Sequence, residues 1–231
     1  MTRGYNLQWI DVSGPSNSHM SDTTGRIFLI SPASCAGKRA GLLLSETGAS
    51  ECAARLRSPA GASLGEVFSF MSGLYFRGKL SYASAFARPP SGLAGVYVIV
   101  PGRGLLSPDT RIVLDDLRSI ARVPVDLAEP RYTNPLISDA AQIAGALGAG
   151  GQSVLLGSVA TEKYVGPLRQ VFGRRLYIPE EFVGRGDMSR GGLMLRCVDA
   201  GRELTYVPAD GVARRGRRPP RLTPRSASGP G

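Results

Sequence analysis

The sequence predicts an α/β domain in three layers, with helices packed around a mostly parallel sheet of about four strands and a C-terminal hairpin at the end. Three observations carry this expectation. Short apolar runs recur at residues 27–30, 96–100, 153–156 and 176–179, and a run without polar alternation marks a strand buried on both faces. Helical patterns separate these runs, which is the rhythm of β-α-β units. Of the 231 residues, 42% are hydrophobic and 20% charged, enough apolar material for one core and too little charge for global disorder.

Taken in order, residues 1–25 lack periodicity and read as a flexible leader, in which Leu7, Trp9 and Ile10 are the residues able to dock on the domain. The domain spans residues 26–208. Its first strand ends at Ser31-Pro32, and a Ser/Gly turn leads into a helix at residues 38–44. Residues 49–57, 63–71 and 74–88 follow as helices, the last closed by Pro89-Pro90. The second strand runs into Pro101-Gly102-Arg103-Gly104, residues 136–147 form a helix stopped by glycines, and the third strand turns at Gly157 into a helix reaching about Phe172. Residues 193–198 and 203–207, separated by Asp199-Ala200-Gly201-Arg202, suggest the antiparallel hairpin.

The net charge of +10 is uneven, because residues 211–231 hold Arg214, Arg215, Arg217, Arg218, Arg221 and Arg225 and no acid. Without those six the first 210 residues carry only +4. The Arg/Pro/Gly/Ser stretch 209–231 cannot offset its ordering entropy and reads as a disordered tail, either a nonspecific nucleic-acid anchor or an inert solvated end. Three cysteines without CxxC spacing argue against a disulfide framework and fit a reducing cytoplasm. No signal-peptide pattern and no apolar run of membrane-spanning length occurs, so a soluble cytoplasmic protein with no membrane partner is expected. A single histidine, His19, excludes histidine-based metal sites and a Ser/His/Asp triad. Neither a metal nor another cofactor is expected.

Ligands of such sheets sit beyond the carboxyl ends of the strands, which selects the loops 31–38, 101–107 and 157–161. The first offers Ser34, Lys38 and Arg39 as a phosphate cradle at a helix start, or a turn that merely caps the helix. Cys35 in that loop reads as a packing thiol, having no histidine to activate it. Arg103, Ser158 and Thr161 belong to the other two loops. The stretch 184–192 brings Arg185, Asp187 and Arg190 among four glycines: a carboxylate beside a cationic phosphate clamp, or a flexible connection into the hairpin. In residues 73–83, Phe76 and Leu80 lie on a core stripe, while Tyr75, Lys79 and Tyr82 share another face and read as surface or pocket residues able to stack bases and neutralise phosphates.

The strand ending in Ser31-Pro32-Ala33-Ser34-Cys35-Ala36-Gly37-Lys38, the helix Leu74-Tyr75-Phe76-Arg77-Gly78-Lys79-Leu80-Ser81-Tyr82-Ala83, and the strand followed by Gly104-Leu105-Leu106-Ser107-Pro108-Asp109 together resemble the peroxide-stress YaaA-like group and its uncharacterised relatives. The resemblance covers residues 26–112 and departs from that pattern at Pro101-Gly102-Arg103. It implies a DNA-associated or base-acting role. The four-strand layout also resembles, at the level of fold, the uracil-DNA glycosylase-like superfamily, without that group's GQDPYH-type loop. The expected activity is therefore cleavage of an N-glycosidic bond in DNA or RNA, with Asp187 as first choice for the carboxylate and Asp109 as second. The alternatives are a noncatalytic DNA- or RNA-binding protein and a small nucleotide-binding or hydrolysing domain.

Removal of residues 211–231 is expected to leave the fold intact and to flatten the salt dependence of duplex DNA binding. Six arginines engaged with phosphates correspond to a change of about 5 in the log-log slope. Binding isotherms of the full and truncated chains at several salt concentrations check this, and an equal slope would show an inert tail.

Overall fold

The structure, a computed structural model, describes residues 25–211 with Gly216, Arg217, Pro219 and Pro220. The leader apart from Gly25, His19 included, and the other tail arginines lie outside the described residues. The chain runs β1 (Arg26–Ile30), α1 (Lys38–Leu44), α2 (Glu51–Arg57), β2 (Ala62–Ser63), α3 (Leu64–Ser72) and α4 (Leu74–Phe86). It continues with β3 (Val96–Val100), β4 (Gly104–Leu106), β5 (Arg111–Ile112), α5 (Leu114–Ala121) and α6 (Pro130–Leu147). The last elements are β6 (Gln152–Leu156), α7 (Glu162–Phe172), β7 (Leu176–Pro179), α8 (Asp187–Asp199) and β8 (Tyr206–Pro208).

The four expected apolar strands form the parallel centre of a six-stranded mixed sheet in the order β4-β3-β1-β6-β7-β8, and antiparallel β4 and β8 close its edges. Central β1 pairs with β3 through Phe28 opposite Val96 and with β6 through Phe28 opposite Val154. Its residues Ile27 to Ile30 are wholly buried, which is why the run carries no polar alternation. The chain steps one way from β1 to β3, then back across β1 to β6 and on to β7. Right-handed crossovers therefore send α4 to one face and α6 and α7 to the other. The loops after β1 and β6 diverge between these neighbouring strands, opening a crevice at their carboxyl ends.

The expected C-terminal hairpin is corrected. Residues 193–198 lie inside α8, and only Tyr206–Pro208 is a strand, pairing with β7. A short apolar run has no period long enough to separate strand from helix. The burial of Arg190, Gly191, Met194 and Cys197 on one stripe shows that the helix prevails. Just past 208, Ala209 is buried and its N–H donates to the Leu176 carbonyl at 2.8 Å. Gly216 and Arg217 pack their main chain on Gly184, whose φ of +70° requires glycine.

A second correction concerns α4. The Tyr75, Lys79 and Tyr82 face is not at the surface, since all three are buried and α8 packs on α4, while Tyr75 lines a cavity, in line with the pocket alternative. The helices cross at Gly78 and Gly191, where a Cβ on Gly78 would stand 2.7 Å from the Gly191 carbonyl oxygen and one on Gly191 would stand 2.8 Å from the Leu74 carbonyl oxygen. Tyr82 is consumed by the core, with its hydroxyl 2.5 Å from that of Tyr206 and accepting from the Leu204 N–H at 2.7 Å. Its ring meets Phe28 edge-on with centroids 5.8 Å apart. Among the described residues no helix is long and apolar enough to cross a membrane.

Gly191→Ala is expected to lower stability by about 1–3 kcal/mol through overpacking. For a domain of this size that is a fall of several degrees in Tm, and an unchanged urea midpoint would show that α4 and α8 have room to separate.

Candidate functional site

The crevice between β1 and β6 is a cavity of about 600 Å³. The turn after β1 supplies Ser31, Ser34 and Cys35, Pro101 just past β3 stands on its wall, and Ser158 comes from the turn after β6. Tyr75 of α4, Lys163 and Tyr164 of α7, and Asp187 of α8 complete its polar part. Ile120, Val123 and Val125 form an apolar side. The mixture of aromatic, apolar and a few polar groups has the character of a small-molecule pocket.

Asp187 is the first residue of α8, and its side chain is 64% exposed. Arg190 holds it. The buried Arg190 guanidinium donates to the Phe182 carbonyl through Nε at 3.2 Å and Nη2 at 2.9 Å, and through Nη1 to the Gly157 carbonyl at 3.4 Å and to Asp187 Oδ1 at 3.3 Å. One cation thereby ties the start of α8 to the end of β6 and sets the carboxylate at the cavity. Arg190 does not line the cavity, and Arg185 donates to the Glu181 carbonyl and to Ser189 Oγ.

Lys79 lies beneath the same cavity, 1% exposed. Its Nζ donates to the Ser31 carbonyl at 2.5 Å and stands 2.8 Å from Ser31 Oγ. The rings of Tyr75 and Phe76 flank the amine at 4.6 and 5.0 Å. Burial pulls its pKa down to about 7, with Asp187 acting to raise it and Arg190 to lower it further. Ser31 is itself 4% exposed and forms part of the wall. Its position is tight, since a Cβ on Gly157 would stand 2.9 Å from Ser31 Cβ.

Burial pushes the Tyr75 hydroxyl up to about 12, opposed by Arg190. That hydroxyl makes no hydrogen bond of proper geometry although it is buried. Burial likewise moves Tyr164 up to about 12, and both phenols keep their protons at neutral pH. The Cys35 thiol is raised by desolvation, which disfavours a thiolate.

Of the other sequence candidates, Ser34 and Ser158 also line this cavity, and the rest are dispersed. Lys38 and Arg39 are exposed at the start of α1, with the Arg39 guanidinium over Gly73 at the entry to α4. Ser34 Oγ accepts from the Ala36 N–H at 3.3 Å. Arg103 pairs with Asp116 at 2.5 Å, and Thr161 precedes α7 as an exposed cap residue. Asp109 lines a different cavity of about 460 Å³ with Glu66 and Ser107. Sequence reasoning missed Ser31, Lys163 and Tyr164. The signal for Ser31 was its place as the first residue past the central strand.

Among the described residues no group of three or more His, Cys, Asp or Glu side chains is placed to hold a metal. Compared with protein-family models, curated proteins and solved structures, the chain matches none. The resemblance of residues 26–112 to the YaaA-like group thus rests on its motifs alone.

Lys79 should leave a signature in stability. Its folded pKa of about 7 lies below the unfolded value of 10.5, so between them the unfolded chain binds more protons and stability rises with pH. From pH 7 to 8, below the ordinary cysteine pKa, the wild type should gain about 1 kcal/mol, less than the limiting slope of about 1.4 kcal/mol per pH unit because the amine is half-titrated at the start. Urea unfolding of wild type and Lys79→Met at both pH values checks this, and an equal gain in the two would assign it to another group.

Proposed function

We propose that this three-layer α/β domain cleaves an N-glycosidic bond of a base in DNA or RNA, with the base held in the cavity between β1 and β6. The single observation that carries the reading is the exposed Asp187 carboxylate on the wall of a 600 Å³ cavity that also presents Tyr75 and Tyr164. Base departure leaves oxocarbenium character on the sugar, and a fixed carboxylate beside it lowers the barrier without reorganising. The Arg190 tether supplies that fixity. Tyr75 and Tyr164 line the cavity with aromatic area for a flat base, and protonated Tyr164 carries an O–H donor for its heteroatoms. Lys163 in the wall and Lys38 and Arg39 on α1 are the cations available to flanking phosphates.

Asp187→Asn keeps the shape and removes the charge. Base release from a panel of normal and modified DNA and RNA oligonucleotides should fall by about a hundredfold or more, about 2.7 kcal/mol of barrier, while binding persists. Wild-type protein that binds the panel and releases no base would establish the noncatalytic alternative. Equal activity in mutant and wild type would remove Asp187 from the reaction.

A further inference from the structure

We propose that Ser31 and Lys79 form a nucleophile and base pair, making the cavity between β1 and β6 competent for acyl transfer from an ester through Ser31 Oγ. The inference shares this cavity with the glycosidic reading and does not rest on it. Three observations meet at one place. Ser31 is the first residue beyond central β1 and is one of the residues lining the cavity, which places it next to a bound electrophile. Lys79 Nζ lies 2.8 Å from that hydroxyl and is anchored by the Ser31 carbonyl at 2.5 Å. The Tyr75 hydroxyl, in the same wall and itself 93% buried, is a donor without an acceptor.

A serine hydroxyl becomes a nucleophile when an adjacent base takes its proton, and a lysine serves once burial makes its neutral form accessible. The groups bearing on Lys79 are Ser31 just past β1, Tyr75 and Phe76 of α4, and Asp187 and Arg190 of α8. None of the ion pairs among the described residues includes Lys79, so no carboxylate at contact distance locks its proton on. Desolvation already brings its pKa to about 7.

In the acyl step, Ser31 Oγ gives its proton to neutral Lys79 Nζ and bonds to the carbonyl carbon of the ester. The carbon to alkoxy oxygen bond breaks, and the departing alcohol takes the proton from Lys79. Water then attacks acyl-Ser31, its proton passes to Lys79 and on to Ser31 Oγ, and the carboxylic acid leaves.

The test uses the full chain and a fluorophosphonate ester, which carries neither base nor sugar, so failure here leaves the glycosidic reading standing and the reverse. Ser31 Oγ bonds to phosphorus, the P–F bond breaks, fluoride leaves, and the proton goes to Lys79. Intact mass and peptide mapping should find one adduct, on Ser31, formed at a rate that rises with pH and levels above about 7. Ser31→Ala should abolish the adduct. Lys79→Met and Lys79→Arg, with folding verified by circular dichroism, should slow it at least a hundredfold, since a guanidinium does not accept the proton. Should neither lysine variant fold, the wild-type pH profile decides. No adduct, an adduct elsewhere, or a rate still climbing above pH 9 overturns the proposal.

Discussion

Gly78 on α4 and Gly191 on α8 face each other with no side chain between them, so the two helices meet backbone to backbone. Helix axes ordinarily stand about 8–10 Å apart, with the side chains at the contact setting the distance. Two glycines put this crossing at the close end. The closeness covers Lys79, one residue beyond Gly78, and buries Arg190, one residue before Gly191. It also brings the start of α8, with Asp187, to the carboxyl ends of β1 and β6. Larger residues at the crossing would lift α8 away and wet the amine. The cavity's chemistry therefore depends on a contact that contains no functional group.

Two cations buried side by side are accommodated in different ways. A guanidinium keeps its charge and needs acceptors in a fixed fork, and Arg190 has the carbonyls of Phe182 and Gly157 with Asp187 completing the set. Lys79 has two oxygens of one serine and two ring faces. For an ammonium that is thin compensation, and a buried amine without a matched anion lowers its cost by releasing its proton. Arg190 at once holds Asp187 in place and, as a like charge, favours the neutral amine of Lys79. Fixing the carboxylate and freeing the amine are thus two effects of one side chain.

The parallel centre of the sheet was legible because each of its strands is buried on both faces and says so without interruption, as residues 27–30 do. The switch-point loops were legible for the same reason, once the strand order was assumed. Edge strand β4 was hidden in a Gly-Leu-Leu run that reads equally as a turn. α8 was hidden because Gly191 and Gly192 look like a break, and only the presence of Gly78 opposite explains a glycine inside a helix. The same hidden contact misplaced Lys79: α4 alone shows a polar stripe of Tyr75, Lys79 and Tyr82, and nothing local records that another helix covers it. Ser31 was passed over because a serine before a proline also reads as a strand terminator. Its role depends on a lysine 48 residues away.

The two carboxylates singled out from sequence separate cleanly on this architecture. Asp109 follows antiparallel β4 and shares its cavity with Gly95 and Val96, at the amino end of β3. Asp187 shares its cavity with Ser31, Pro101 and Ser158, each just past the carboxyl end of a parallel strand. In an open α/β sheet the loops at the carboxyl ends diverge where the winding reverses, and side chains from several elements converge there without disturbing the core. The amino ends carry the chain back into the sheet and are held by packing and ion pairs, as Glu66 is by Arg55. A carboxylate at the first end is free to face a ligand, and one at the second is surrounded by groups whose positions the fold already needs. The strand order, more than the character of either aspartate, ranks Asp187 above Asp109.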